Sequence, residues 1–136
     1  CTIYILFFWN LFVREFECCN TKPNMITIES NAFCYPKIEL IHFPFSLYEL
    51  KDWCICKVSK LTQIVVSPLN NNIIFKDDKF LLGKSDINSD EFDILLFAPR
   101  DIKKVSIPLN IRIIKSYVFH KCINLREIDI QKSTKF

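Results

Sequence analysis

Residues 105–130 read VSIPLNIRIIKSYVFHKCINLREIDI, and the spacing of their apolar positions decides the fold. Ile107 and Pro108 close a short strand, and Ile111 and Ile114 are placed to point inward. A small-then-large pair follows, Val118 and Phe119. Cys122 and Leu125 come at steps of three, and Ile128 and Ile130 then alternate as a new half-buried strand. A helix would hold its period of about 3.6 residues past Cys122. Here the period changes to three and then to two, which suits a coil that bends at each corner and buries one side chain per bend. The stretch is one full turn of a solenoid.

The pattern recurs upstream. With Phe119 set against Ile55, 64 positions earlier, Leu47, Leu50, Cys54, Ile55, Val58, Leu61, Ile64 and Val66 match Ile111, Ile114, Val118, Phe119, Cys122, Leu125, Ile128 and Ile130. Phe43 and Pro44 match Ile107 and Pro108 at the same offset. A third copy, looser by one residue, runs through Ile28, Ala32, Phe33, Ile38, Ile41 and Phe43, with Phe33 standing 22 residues before Ile55. Phe33, Ile55 and Phe119 are therefore expected in one column. On that basis Phe119→Ala is expected to cost about 3–5 kcal/mol. Short strands are predicted at residues 40–43, 64–66, 104–107 and 128–130, stacked coil over coil as a parallel sheet in which each repeat bonds its neighbours. Pro44 and Pro108 lack the N–H that would carry the ladder further.

The consensus Ile-x-x-x-Val/Ala-Phe-x-x-Cys-x-x-Leu-x-x-Ile-x-Ile-Pro resembles the BspA-like, or Treponema-type, leucine-rich repeats of bacterial surface proteins and protozoan surface antigens. Residues 114–130 carry it closely. Residues 28–44 carry it with one deletion, and residues 50–66 carry it with Cys54-Ile55 in place of Ala-Phe. The resemblance covers residues 26–136. It implies a β-rich leucine-rich repeat solenoid of the α/β class, with short parallel strands stacked coil on coil and a β-hairpin island. It also implies a non-enzymatic protein–protein interaction module of a surface antigen, adhering to host cells or matrix at the cell surface or outside the cell. A cytoplasmic repeat scaffold or regulatory binding protein is the alternative.

On this reading residues 1–25 are an apolar segment and connector, and residues 26–136 form the repeat domain, with repeats at about 26–44, 45–68 and 104–136. Between them, residues 69–103 interrupt the pattern. Phe80, Leu81 and Leu82 form one apolar run and residues 92–97 another, with the polar stretch 84–91 between them. Two β-prone arms around a turn-forming tip predict a hairpin. Residues 82–102 look like the islands of the protozoan members, and Gly83 is expected to mark a bulge or turn at the end of the first arm. Residues 1–13, CTIYILFFWNLFV, are too few to span a bilayer, which takes about 20. They read as a cut signal segment or membrane helix, as a degenerate preceding repeat or cap, or as a core element. The sequence begins at Cys1 and ends at Phe136 without a polar cap, which is expected of a piece of a longer chain.

Composition removes several functions. One Gly in 136 residues cannot build glycine-rich phosphate or dinucleotide loops. A net charge of +3 without a basic run does not imply nucleic acid. Gly83-Lys84-Ser85 has the end of a phosphate loop, but Asp78 stands where the first glycine belongs. Asp86, Asn88 and Asp90 have calcium-loop spacing, yet Glu91 fills the glycine position and Phe97 the bidentate-glutamate position. The 7 Cys lack paired zinc spacing, and Cys54 and Cys122 read as small buried thiols. His120 is two residues from Cys122 but is expected to point outward while Cys122 points in. No arrangement for nucleophilic or acid–base catalysis stands out, and neither a cofactor nor a metal is predicted.

What remains is a surface. Between the inward strand positions, His42, Val65, Ser106 and Asp129 are expected to face solvent, with Gln63 and Glu127 beside them. Rows about 4.8 Å apart would make these six a rigid panel able to contact a protein, with a host or matrix surface protein as the suspected partner. Membrane attachment would come only through residues 1–13 or an anchor elsewhere in the protein.

Overall fold

The computed structural model of the chain describes residues 2–3, 15–17, 26–33, 37–55 and 57–131. Cys1, Cys18, Cys19, Cys34, Cys56, Phe136 and residues 4–13, with the three readings of the apolar start, lie outside them. The described residues form a β-solenoid of about four turns and contain no helix.

Strands β1 (Thr2–Ile3), β2 (Glu15–Glu17), β3 (Ile26–Ile28), β4 (Leu40–Phe43), β5 (Leu47–Leu50) and β6 (Gln63–Val66) build two parallel ladders. One runs β2-β4-β6 and the other β1-β3-β5. Pro44 separates β4 from β5 because it cannot donate to a ladder. Its carbonyl instead accepts from Leu47 N at 3.3 Å and turns the chain from one ladder to the other. Further on, β10 (Lys104–Ile107) and β12 (Glu127–Ile130) pair in parallel, Val105 beside Ile128 and Ile107 beside Ile130. All four strands predicted for the stacked sheet are present, two of them one residue longer at the start.

The corners confirm the alignment of the coils. Asn31, Trp53 and Tyr117 each stand two residues before Phe33, Ile55 and Phe119. All three hold left-handed backbone, with φ of 60°, 69° and 66°. Such angles are uncommon for Asn and strained for aromatic residues, so a shared corner imposes them. Between the first two of these coils the stacking is direct: Phe33 N donates to Cys54 O at 3.0 Å and Asn31 N to Trp53 O at 3.3 Å.

Between residues 67 and 103 the solenoid takes in three strands of a separate sheet, whose fourth strand comes from the following coil. Strands β7 (Ile73–Lys76), β8 (Phe80–Gly83), β9 (Ile94–Phe97) and β11 (Ile113–Ile114) lie in the order β11-β9-β8-β7. The expected hairpin is β8 against β9, antiparallel, and β7 adds a third antiparallel strand that the apolar spacing does not predict. Asn70 sets its start. Its amide donates to Pro44 O at 2.9 Å and Leu47 O at 3.0 Å, while Oδ1 accepts from Asn72 N and Ile73 N. Four hydrogen bonds from one buried side chain hold the departing island on the β4–β5 corner.

The island is an internal wall. Ile73, Leu81 and Phe97 pack into the core of the first coils, with Phe33, Ile41, Ile55 and Ile64. Phe80, Leu82 and Leu95 pack into a second core with Val105, Ile107 and Val118. A strand buried on both faces has no polar alternation, which is why residues 80–82 are all apolar. Leu81 pairs with Phe97 and Leu82 with Leu95, so Leu96 is an extra residue on β9. That bulge sends Leu95 to one core and Phe97 to the other.

Four expectations are corrected, the first two by this wall. The stacked sheet is not continuous: β6 and β10 belong to different sheets, because the island stands between their coils. The column Phe33–Ile55–Phe119 is interrupted for the same reason. Phe33 and Ile55 share the first core, while Phe119 is only partly buried, against the second. Gly83 is neither turn nor bulge but lies within β8 opposite Ile73 and Ile94, where an added Cβ would sit 3.0 Å from Leu96 Cδ1. Ile114, Ile128 and Ile130, expected inward, are 45%, 46% and 60% exposed. Ile128 and Ile130 register with buried Val105 and Ile107, and Ile114 with buried Leu95. Among the described residues, no further coil covers them.

Candidate functional site

The six panel residues fall into two groups. His42 on β4 stands beside Val65 on β6, and Gln63 stands beside Leu40 in the same ladder. Along β6 the side chains alternate, Gln63 and Val65 exposed and Ile64 buried, as a one-sided strand requires. The second group lies on β10 and β12, where Ser106 stands beside Asp129 and Lys104 beside Glu127. Ser106 Oγ donates to Asp129 Oδ2 at 3.4 Å, and Gln131 Nε2 donates to Ser106 Oγ at 3.5 Å. Lys104 Nζ pairs with Glu127 at 2.7 Å, but both are well exposed, so the pair adds little stability. One half thus offers an imidazole, an amide and an aliphatic side chain, the other a hydroxyl and two carboxylates.

Other residues that carry chemistry are held by the fold. Asp86 Oδ1 accepts from Asn88 N at 2.9 Å and Ser89 Oγ from Glu91 N at 3.0 Å, so the calcium-like spacing builds consecutive turns. Ser85 donates its N–H to Asp93 Oδ1 at 2.8 Å and its hydroxyl to Asp93 Oδ2. Lys84 Nζ lies 4.8 Å from the centre of the Phe92 ring. These two contacts occupy the residues that resemble a phosphate loop. The paired bonds from Ser85 hold the Asp93 carboxyl below the usual aspartate range, although burial works against them. His120 is exposed and meets Tyr117 edge to face at 5.7 Å, while Cys122 and Cys54 are buried.

Two features lie outside the sequence-based expectations. Trp53 and Tyr117, 47% and 39% exposed, lie tilted by 44° against each other with ring centres 3.9 Å apart. They share the 64-residue offset of Ile55 and Phe119, so the repeat alignment contains them, but outside the inward positions that define it. The second is Arg100, 3% exposed on the island's last turn, over the Phe97 ring at 4.5 Å. It donates to Val118 O at 2.9 Å, to Ile55 O at 3.3 Å and to Cys122 Sγ at 3.8 Å. No local signal separates such an arginine from a surface one.

A β-solenoid of stacked parallel strands defines a repeat protein. The chain belongs to the BspA type leucine rich repeat region family, whose model matches 6 copies over residues 8–84 and 90–136. No curated protein and no solved structure matched the chain. Repeats of this family are binding modules that work by protein–protein interaction and are not typically enzymatic.

Proposed function

We propose that the chain is the interaction module of a surface-displayed repeat protein of the protozoan surface-antigen kind. It would adhere to a host-cell or matrix protein through His42, Gln63, Val65, Ser106, Glu127 and Asp129. The observation that carries this reading is the cross-strand register, which sets His42 beside Val65 and Ser106 beside Asp129 on the outer faces of hydrogen-bonded strands. The backbone of such strands is fixed before contact, so ordering entropy opposes binding only through the side chains.

The test replaces His42, Val65 and Asp129 by alanine together in the full chain. The melting transition is expected to stay in place, and adhesion to host cells and matrix-coated surfaces to weaken about tenfold or more, as loss of a central contact does. Unchanged adhesion by a folded triple variant removes the panel from the account.

A further inference from the structure

The panel uses the outward side chains of the strands, whereas the backbone of β6 presents a second surface. Gln63 N donates to Glu39 O at 3.1 Å and Ser67 N to Phe43 O at 3.0 Å. In a parallel ladder the N–H and C=O of one residue point the same way, and successive residues alternate. The backbone groups of Ile64 and Val66 therefore face away from β4. Among the described residues no strand pairs with that side, since β6 ends its sheet and β10 pairs only with β12. The island has left this edge without a strand partner, with Val66 half-buried and Ile64 3% exposed beside it.

That edge borders a groove whose other wall is the β7–β8 hairpin. At one end it is lined by Gln63, Val65, Phe75, Asp78 and Asp101, without a lysine or arginine. Toward the other end Val65, Val66, Ile74 and Phe75 line it together with Ser67, Asn70 and Asp78, and Val65 and Ile74 are 48% and 37% exposed. In a chain of net charge +3, the ionisable groups at the first end are both carboxylates. Neither Asp78 nor Asp101 makes an ion pair among the described residues. Open edges are commonly blunted by charge on the strand itself, yet the outward residues of β6 are an uncharged glutamine and valine.

We propose that the β6 edge takes an extended basic peptide by strand addition. The N–H and C=O groups of Ile64 and Val66 complete a ladder with its backbone. A lysine or arginine of the peptide lies between Asp78 and Asp101, and its aliphatic side chains run along Val65 and Ile74. Backbone pairing supplies affinity and the flanking carboxylates supply selectivity, as in other strand-addition sites. The site does not require surface display and shares only Gln63 and Val65 with the outward panel, so alanine at His42 and Asp129 is expected to leave it intact.

The test titrates the isotope-labelled full chain with seven-residue peptides that alternate valine with lysine, serine or glutamate. The lysine peptide is expected to shift the amide signals of Ile64 and Val66 and to slow their hydrogen exchange. It should bind about tenfold tighter than the serine peptide, with no binding by the glutamate peptide. Asp78→Asn with Asp101→Asn, both on the surface, should reduce the lysine peptide to the level of the serine one. Val66→Pro removes an N–H that faces the groove and not β4, so it should spare the fold and abolish all peptide binding. Equal binding of lysine and glutamate peptides, or unmoved Ile64 and Val66 amides, overturns the proposal. So does a concentration-dependent dimer that Val66→Pro dissolves, because the edge would then take a second copy of the chain.

Discussion

Arg100 donates from Nη1 to the carbonyl oxygen of Val118 at 2.9 Å, while its Nη2 reaches Ile55 O at 3.3 Å on the other side of the island. Where coils stack directly, a backbone group makes the corresponding link, as Phe33 N does to Cys54 O. Where the island parts the coils, a planar guanidinium spans the gap and serves both carbonyls. Its stacking on Phe97 keeps the fork aimed.

Arg100→Lys should therefore be far from conservative. A lysine ends in one nitrogen where the guanidinium spreads two, so it cannot reach both carbonyls at once, and a loss of about 1.5–3 kcal/mol is expected, as for a broken buried charged hydrogen bond. Urea denaturation of the two chains measures it. A midpoint shift within error would remove the bridging role.

The repeat alignment treats Phe33 and Phe119 as equivalents, but their burial does not. Phe33 is 1% exposed and meets Phe43 edge to face at 6.4 Å, while Phe119 is only partly buried. Phe33→Ala is expected to cost about 3–5 kcal/mol, and Phe119→Ala about 1–2 kcal/mol, in keeping with the smaller area it buries. Equal losses in thermal melts would favour the unbroken column expected from the sequence.

Local periodicity makes the coils readable. Each corner forces one inward side chain, so Leu47, Val58, Leu61 and Ile64 stand out as a ladder from their spacing alone, and all four are buried. The position of the island is not readable in the same way. Residues 80–82 show that a strand is covered on both faces, but not which coils cover it. Strand β7 is hidden because its IIFK run lacks the alternation of a one-sided strand and follows three asparagines. The panel residues follow from strand alternation, whereas the division of the panel depends on where the island lies.

Asp93 ties acid stability to the hairpin loop. Its folded pKa is lowered by the Ser85 hydroxyl and N–H, so its contribution is complete above the ordinary aspartate pKa and is lost as pH falls through the folded value. Stability measured from neutral pH downward should fall across that window in the native chain and change less in Asp93→Asn. Ser85→Ala should raise the Asp93 pKa toward the ordinary range, followed by the NMR titration of its carboxyl carbon. An unshifted titration would show that Ser85 is not the cause.

A side chain at Gly83 would crowd Leu96. A methyl there would lie 3.0 Å from Leu96 Cδ1, on the residue that the β9 bulge adds. Gly83→Ala should lose about 1–2 kcal/mol by overpacking. Shortening the neighbour in the double variant with Leu96→Val should recover most of that loss. A double variant as unstable as the sum of the two single variants would contradict this steric account.

Leu81 and Leu82 allow the most direct test that the island divides one solenoid into two cores. In a methyl-labelled sample, nuclear Overhauser contacts from Leu82 should lead to Val105, Ile107 and Val118, and those from Leu81 to the first core around Ile73 and Phe97. Contacts from both leucines to one shared set of methyl groups would place the island on the outside of the coil and contradict the two-core fold.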